Sequence, residues 1–353
     1  MHSPPVPAQQ QQLLRDGYWD RTAVMALPDG SKRVRKISKG VESAGPWGMD
    51  NLRAEAHYLA TLEASLHDFF PPLLGHWDTD TTGYDMGYME NYVDVGKIAQ
   101  QQVFNQPQAD AMQAYLGQRL FTQLHTPAIT PPVLVANIKD TLNKAVHCLQ
   151  THSQLQLLLD AVSINQLPVV PLEQQLQALY AGTLLTQLDA TPQVRLHGDL
   201  FLENMLLPAH DPGQNWPQQL VLIDPISVAG IGAGHPLFDL GKYESYATGE
   251  LPAMRQERLL TSGFEAPIEH QTQQQFHWAI DWQDPAMAGF KKVNWHGRLR
   301  SLYVQHYGPV NTALYELLQA YFAAAMVVCT EGREQQARAL KMRASLQLAL
   351  TQT

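Results

Sequence analysis

The chain has 353 residues, enough for one large domain or two modest ones around a substantial core, and 45% of them are apolar. A net charge of −9 argues against a sequence-independent nucleic-acid face, and two cysteines, Cys148 and Cys329, are too few for a disulfide framework or a cysteine zinc site. Residues 1–11, rich in Pro and Gln, read as a loose tail without the layout of a signal peptide. "TAVMALPDGSKRVRKIS" (22–38) predicts a hairpin about its PDG turn. "MDNLRAEAHYLATLEASL" (49–66) predicts a helix, with Leu52, Ala56 and Leu59 at helical spacing and Asp50 as N-cap. "PPLLGHWDTD" and "GYDMGYMENYV" read as two more strands, so the first 93 residues give two strands, a helix and two strands. Helices are expected near 108–126, 135–162 and 171–189. "QQLVLIDPISV" (218–228) is a strand, paired as a hairpin with "MLLP" (205–208). From Leu237 onward the chain is helical again, with Trp- and Pro-rich loops near 281–297. "ALYELLQAYFAAAMVVC" (313–329) carries Glu316 and Gln319 and reads as a buried helix, not a membrane span. Both cysteines sit in apolar helical stretches and read as buried free thiols.

One stretch stands out. In "RLHGDLFLENMLLP" (195–208), His, Gly, Asp, Glu and Asn crowd among Leu, Phe and Met. Polar groups in such company need partners or a function. Asp199 and Asn204 are five apart in a short loop, and Asp224 arrives at the end of "LVLID" on the partner strand. Carboxylate and amide oxygens suit a magnesium ion, which takes one or two carboxylates and completes its shell with phosphate oxygens. A separate carboxylate beside it can accept a hydroxyl proton during phosphoryl transfer. The fourteen histidines form no HExxH pattern, which leaves no zinc signature.

The ordered set "HGDLFLEN" (197–204), "LIDP" (222–225) and "GHPLFDLGKY" (234–243) resembles the aminoglycoside phosphotransferase and choline kinase superfamily, the small-molecule branch of the protein-kinase-like fold. The resemblance covers most of the chain. It implies an α+β fold of two lobes, a small β-rich N-terminal nucleotide-binding lobe (1–93) and a larger, mainly helical C-terminal catalytic and substrate-binding lobe (94–353). It implies Asp199 as the catalytic residue that orients or deprotonates the acceptor hydroxyl, and Asn204 and Asp224 as metal ligands. Asp239 would buttress the catalytic loop, and His197 would anchor it.

Family members also hold the phosphates with a strand lysine oriented by a helix glutamate. "RVRKIS" offers Lys36, with Lys32 and Arg35 as rivals. Lys36 shares a strand face with Val34, which would then lie against adenine. Glu55 is the helix partner, with Glu63 as rival. "GYMENYV" (87–93) resembles the inter-lobe hinge, where main-chain groups of Glu90 and Tyr92 would bond adenine. The sequence departs from the pattern at the loop over the phosphates, normally glycine-rich. Here "LLRDGYWDRTAV" (13–24) holds only Gly17, so phosphate grip falls more on Lys36 and magnesium. The basic-aromatic group in "FKKVNWHGRLR" (290–300) could meet an acidic or phosphorylated acceptor, or be a solvated helix face around one packed Trp.

The resemblance implies an ATP-dependent phosphotransferase, with ATP and Mg2+ as cofactors. It would phosphorylate a hydroxyl of a small molecule such as a sugar, amino sugar or amino alcohol. The expected location is the cytoplasm, with no nucleic-acid or membrane partner and no oligomeric state assigned. The alternative is a catalytically silent pseudokinase, a nucleotide-sensing or scaffolding module. A protein acceptor fits less well, because no Arg precedes Asp199 and Phe201 stands where protein kinases place a Lys.

Overall fold

The computed structural model describes residues 10–17, 20–39, 41–128, 133–190, 193–209, 216–226, 230–264 and 275–352. Its contacts divide the chain into two compact units, Met1–Val95 with His197–Gly232, and Gly96–Leu196 with Ala233–Thr353. The loop carrying Asp199, Asn204 and Asp224 therefore groups with the amino-terminal strands, although in sequence it follows the division expected near residue 93.

The first unit opens with β1 (Gln10–Asp16), β2 (Asp20–Ala26) and β3 (Lys32–Ser38), then α1 (Val41–Ala60), β4 (Leu73–Asp78), β5 (Thr82–Gly87) and β6 (Tyr92–Asp94). Five strands form one antiparallel sheet in the order β1-β2-β3-β5-β4. Burial alternates along β3, with Val34, Lys36 and Ser38 buried, as the period of two requires. Helix α1 packs on β5, β3 and β4 through Leu52, Ala56 and Leu59, all buried.

The second unit contains α2 (Val95–Gln100, whose first residue belongs to the first unit), α3 (Gln106–Arg119), α4 (Leu134–Thr151), β7 (Ser163–Ile164), β8 (Leu167–Pro168), α5 (Leu172–Ala181), α6 (Leu184–Ala190) and β9 (Val194–Arg195). The chain then returns to the first unit for β10 (Met205–Pro208) and β11 (Val221–Leu222), which join β6 in a three-stranded sheet. The rest of the second unit is β12 (Ala233–Gly234), α7 (Leu237–Ala247), α8 (Glu250–Arg255), β13 (Leu259–Ser262), β14 (Gln275–Ile280), α9 (Ala288–Lys292), α10 (Gly297–Tyr307), α11 (Thr312–Val327) and α12 (Gly332–Thr351). Its core is helical. Helices α11 and α12 pack along each other, and α3 meets α10 closely because a Cβ at Gly117 would lie 2.7 Å from Leu302. Buried Arg343 is held by Gln175 Oε1 at 2.8 Å and by main-chain carbonyls, so its charge needs no carboxylate partner.

Several expectations need correction. Residues 10 and 11 belong to β1, which makes five strands in this sheet where four were expected, while the rest of the expected tail lies outside the described residues. Helix α1 starts at Val41, so Asp50 lies inside it and pairs with Arg53 at 2.5 Å instead of capping. The segment 171–189 is two helices broken at Gly182. Strands β13 and β14 interrupt the region read as helical. Both cysteines are free thiols but only half-buried. Trp295 is fully buried, and Arg300 forms an ion pair with buried Glu244, so these two members of the 290–300 cluster are structural, while Lys291, Lys292 and Arg298 are exposed. Among the described residues no helix is long and apolar enough to cross a membrane.

Gly83 sets how closely β5 fits its neighbours. A Cβ there would lie 2.4 Å from the Trp77 ring and 2.6 Å from the carbonyl oxygen of Lys36. Relief would require moving backbone on β3. Gly83→Ala should therefore destabilise the fold by roughly 1–3 kcal/mol, read as a lowered midpoint in urea unfolding.

Candidate active site

Lys36 is the centre of a buried charge cluster within the first unit. Its ammonium lies 2.8 Å from Glu55 Oε2, 3.2 Å from Asp224 Oδ1 and 3.7 Å from Asp20 Oδ2. Tyr84 donates its hydroxyl to the same Glu55 oxygen at 2.7 Å. The rivals are occupied elsewhere. Arg35 points to the other face of the sheet, bonded to both oxygens of Asp85 and stacked over Trp77. Lys32 pairs with Glu90 at 3.1 Å on the surface. Glu63 is exposed, beyond the end of α1.

Desolvation would pull Lys36 down, but Asp224 and then Glu55 outweigh it and raise the ammonium well above its ordinary value. Burial also acts on Asp224, pushing it up, and the charges of Lys36 and Arg15 more than offset this, leaving it below its ordinary value. Glu55 goes the other way: burial pushes its carboxyl up to about 7, against the opposing pull of Lys36. Both members of the Lys36–Glu55 pair are thus shifted toward their protonated forms, Glu55 by burial and Lys36 by the charges of Asp224 and then Glu55.

The raised Glu55 has a consequence for stability. Between its unfolded value of 4.5 and about 7, the folded chain holds a proton that the unfolded chain has released. Glu55 therefore contributes less to stability as pH rises through that window, on the order of 3 kcal/mol in total. Buried His235, lowered to about 4 by desolvation, has the opposite slope below its ordinary 6.5. The difference between wild type and Glu55→Gln isolates the glutamate. Urea unfolding at pH 5 and pH 7.5 should show the variant gaining relative to wild type at the higher pH.

The loop 197–204 is fixed by its own main chain. Gly198 adopts φ 83°, a left-handed conformation that glycine reaches without penalty. His197 is fully buried, its Nε2 donating to the Ile223 carbonyl at 3.1 Å and its Nδ1 accepting from the Asp199 N–H at 3.3 Å, a tautomer assigned from these partners. Asn204 donates through its amide nitrogen to the Asp199 carbonyl at 2.8 Å and to Asp199 Oδ2 at 3.2 Å. The Asn204 main-chain carbonyl accepts from Ile223 N–H at 2.9 Å. The segment carrying Asp224 is thereby tied to the loop carrying Asp199 and Asn204. Asp224 and Ile226 both sit at positive φ, 51° and 75°, and for a β-branched Ile that is strained.

The structure thus brings Lys36, Glu55, Asp224, Asn204 and Asp199 into one unit. Glu90 and Tyr92 belong to the same unit and flank Asn91 (φ 62°), with Tyr92 opposite Pro208 between β6 and β10. Asp239 is in the second unit, fully buried and bonded to His125 Nε2 at 3.1 Å. Arg15, Asp20 and Tyr84 were not anticipated. Tyr84 carried a signal, since it alternates with Met86 on a strand beside Lys36.

For a divalent cation the donor chemistry fits. The Asn204 amide nitrogen is spent on Asp199, which leaves its amide oxygen available, and Asp224 adds a carboxylate. Among the described residues no group of three or more His, Cys, Asp or Glu could hold a metal alone. One carboxylate and one amide suit an ion that completes its shell with phosphate oxygens.

No family model and no curated protein matches the sequence. Solved structures do match. A protein from Thermobifida fusca assigned as a fructosamine-3-kinase aligns over 96% of this chain and 93% of its own, with 18% identity and a TM-score of 0.50. An aminoglycoside phosphotransferase from Streptomyces rimosus aligns over 95% and 92% (15% identity, TM-score 0.44). A choline kinase from Cryptosporidium parvum aligns over 96% and 88% (10% identity, TM-score 0.43). The chain has the α+β protein-kinase-like fold of small-molecule kinases, β-rich at its amino-terminal end and helical toward its carboxyl end. At these identities the likeness shows the fold alone.

Proposed function

We propose that the protein transfers the γ-phosphoryl group of ATP to a hydroxyl of a small molecule, a sugar, amino sugar or amino alcohol. The observation that supports this most is the linkage of two elements: Lys36 held between Glu55 and Asp224, and Asp199 on the loop stitched to the Asp224 segment. The name of the Thermobifida fusca protein, a kinase of fructosamine, favours the sugar-like end of this range.

In this reading Lys36 binds phosphate oxygens, with Glu55 holding its side chain in place. Asn204 and Asp224 would hold Mg2+, which would neutralise phosphate charge when bound. Asp199 orients the acceptor hydroxyl. The acceptor oxygen forms a new bond to the γ-phosphorus, the bond from that phosphorus to the β–γ bridging oxygen breaks, ADP leaves, and the hydroxyl proton passes to the Asp199 carboxylate. Main-chain groups of Glu90 and Tyr92 bond adenine. The division of labour is an amino-terminal nucleotide lobe and a carboxyl-terminal substrate lobe, working in the cytoplasm on a soluble acceptor. Catalysis comes mostly from positioning and charge.

A second reading, the silent nucleotide-sensing module, is favoured by Asp20 at the start of β2, whose carboxylate stands 3.7 Å from Lys36, and by a stretch before it with the single glycine Gly17. Thermal unfolding with and without MgATP tests the donor half of the proposal, since a ligand at 100 times its Kd stabilises by about 2.7 kcal/mol. No shift at millimolar MgATP would overturn both readings. Transfer of label to an acceptor separates them.

A further inference from the structure

The sequence lacks a glycine-rich loop whose amides could cradle phosphate, and the sheet supplies a cation in its place. Resting on the reading of this site as phosphate-binding, we propose that Arg15 is a second phosphate-gripping cation, brought to the Lys36 face of the sheet by a β-bulge at Leu14.

The register carries the argument. Along the first part of β1, Gln10 faces Ala26 and Leu13 faces Ala23; past Leu14 the pairing shifts, so that Arg15 faces Thr22 and Asp16 faces Arg21. Thr22 in turn faces Lys36, and Lys36 faces Tyr84. Directly opposed residues share a face, so Arg15, Thr22, Lys36 and Tyr84 form one row. Were Leu14 paired in the ladder instead of bulged, it would face Thr22, and Arg15 would face Arg21 and point to the other side. Re-aiming a side chain is what a bulge beside a functional site does.

The outcome is visible at Asp224. Lys36 approaches its Oδ1 at 3.2 Å, and Arg15 approaches its Oδ2 at 3.6 Å. The Arg15 side chain remains 62% exposed, so it is not consumed by packing. The lone Gly17 leaves it room, since a Cβ there would lie 3.3 Å from Arg15 Nε. Two cations from one sheet face, with only Thr22 between them in the row, are spaced to share the oxygens of a polyphosphate chain, and a guanidinium offers paired donors to such oxygens.

Calorimetry of ATP, of inorganic tripolyphosphate and of adenosine, at fixed ionic strength with magnesium, tests this. Arg15→Ala should weaken ATP and tripolyphosphate binding roughly tenfold and leave adenosine unchanged. Arg21→Ala, which removes an equal charge from the face of the sheet opposite Lys36, should change neither. The inference is overturned if Arg15→Ala binds tripolyphosphate as wild type does, or if wild type does not bind it. Arg15-dependent binding of tripolyphosphate without tighter binding of ATP would instead uphold Arg15 and refute the nucleotide reading.

Discussion

Replacing Asp199 by alanine is expected to lower turnover by roughly 10²–10⁴-fold, the range for losing a positioned proton acceptor, while MgATP binding and the unfolding midpoint stay near wild type. The asymmetry follows from the local geometry. The 2.8 Å bond from Asn204 goes to the Asp199 main-chain carbonyl, which the substitution keeps, and only the 3.2 Å bond to Oδ2 is lost. The loop is anchored independently by His197 on the Ile223 carbonyl. Asp199→Asn refines the test, because an amide can still orient a hydroxyl but cannot take its proton. Steady-state kinetics on an identified acceptor should show kcat falling far more than KM rises. A wild-type kcat in Asp199→Ala would remove Asp199 from the chemistry.

The second large effect is expected at Asp224, and its sign should depend on magnesium. Asp224→Asn deletes the anion that both Lys36 and Arg15 approach. With magnesium present, ATP should bind about ten- to a hundredfold more weakly, as for loss of a charged ligand. Asn204→Ala should have a smaller effect, because an amide orients a cation without neutralising it. With magnesium chelated, Asp224→Asn should bind ATP as well as wild type or better, since the lost carboxylate repels phosphate. Calorimetric titrations with and without chelator read both limbs. Equal, small effects of the two substitutions would favour the silent module.

The parts of the site that sequence made legible are those fixed by local pattern. Alternation on β3 separates Lys36 from Arg35, and the structure turns the first toward Glu55 and the second toward Asp85. The spacing of Asp199 and Asn204 within one loop likewise fixes their proximity. What escaped depends on pairing across the chain. β1 does not read as a strand, its first two residues reading as tail and Leu13–Asp16 as part of the loop over the phosphates, because "QQQLLRD" has no alternation of its own and is ordered by pairing with β2. Arg15 escaped with it, since a bulge is a property of two strands together. The start of α1 was hidden by Gly45, Pro46 and Gly48, residues with poor helix propensity. In β14, by contrast, Phe276, His277 and Trp278 do alternate, buried, exposed, buried, a signal masked by the glutamine run before them.

The most direct measurement follows the phosphoryl group itself. The protein is incubated with magnesium, ATP labelled in its γ-phosphate and pooled sugars, amino sugars and amino alcohols, and the products are resolved by mass spectrometry. The wild type is expected to form a labelled phosphomonoester one for one with ADP, and Asp199→Ala to lose it. ATP bound by the wild type with its label transferred to no small molecule in any pool would contradict the proposed transfer.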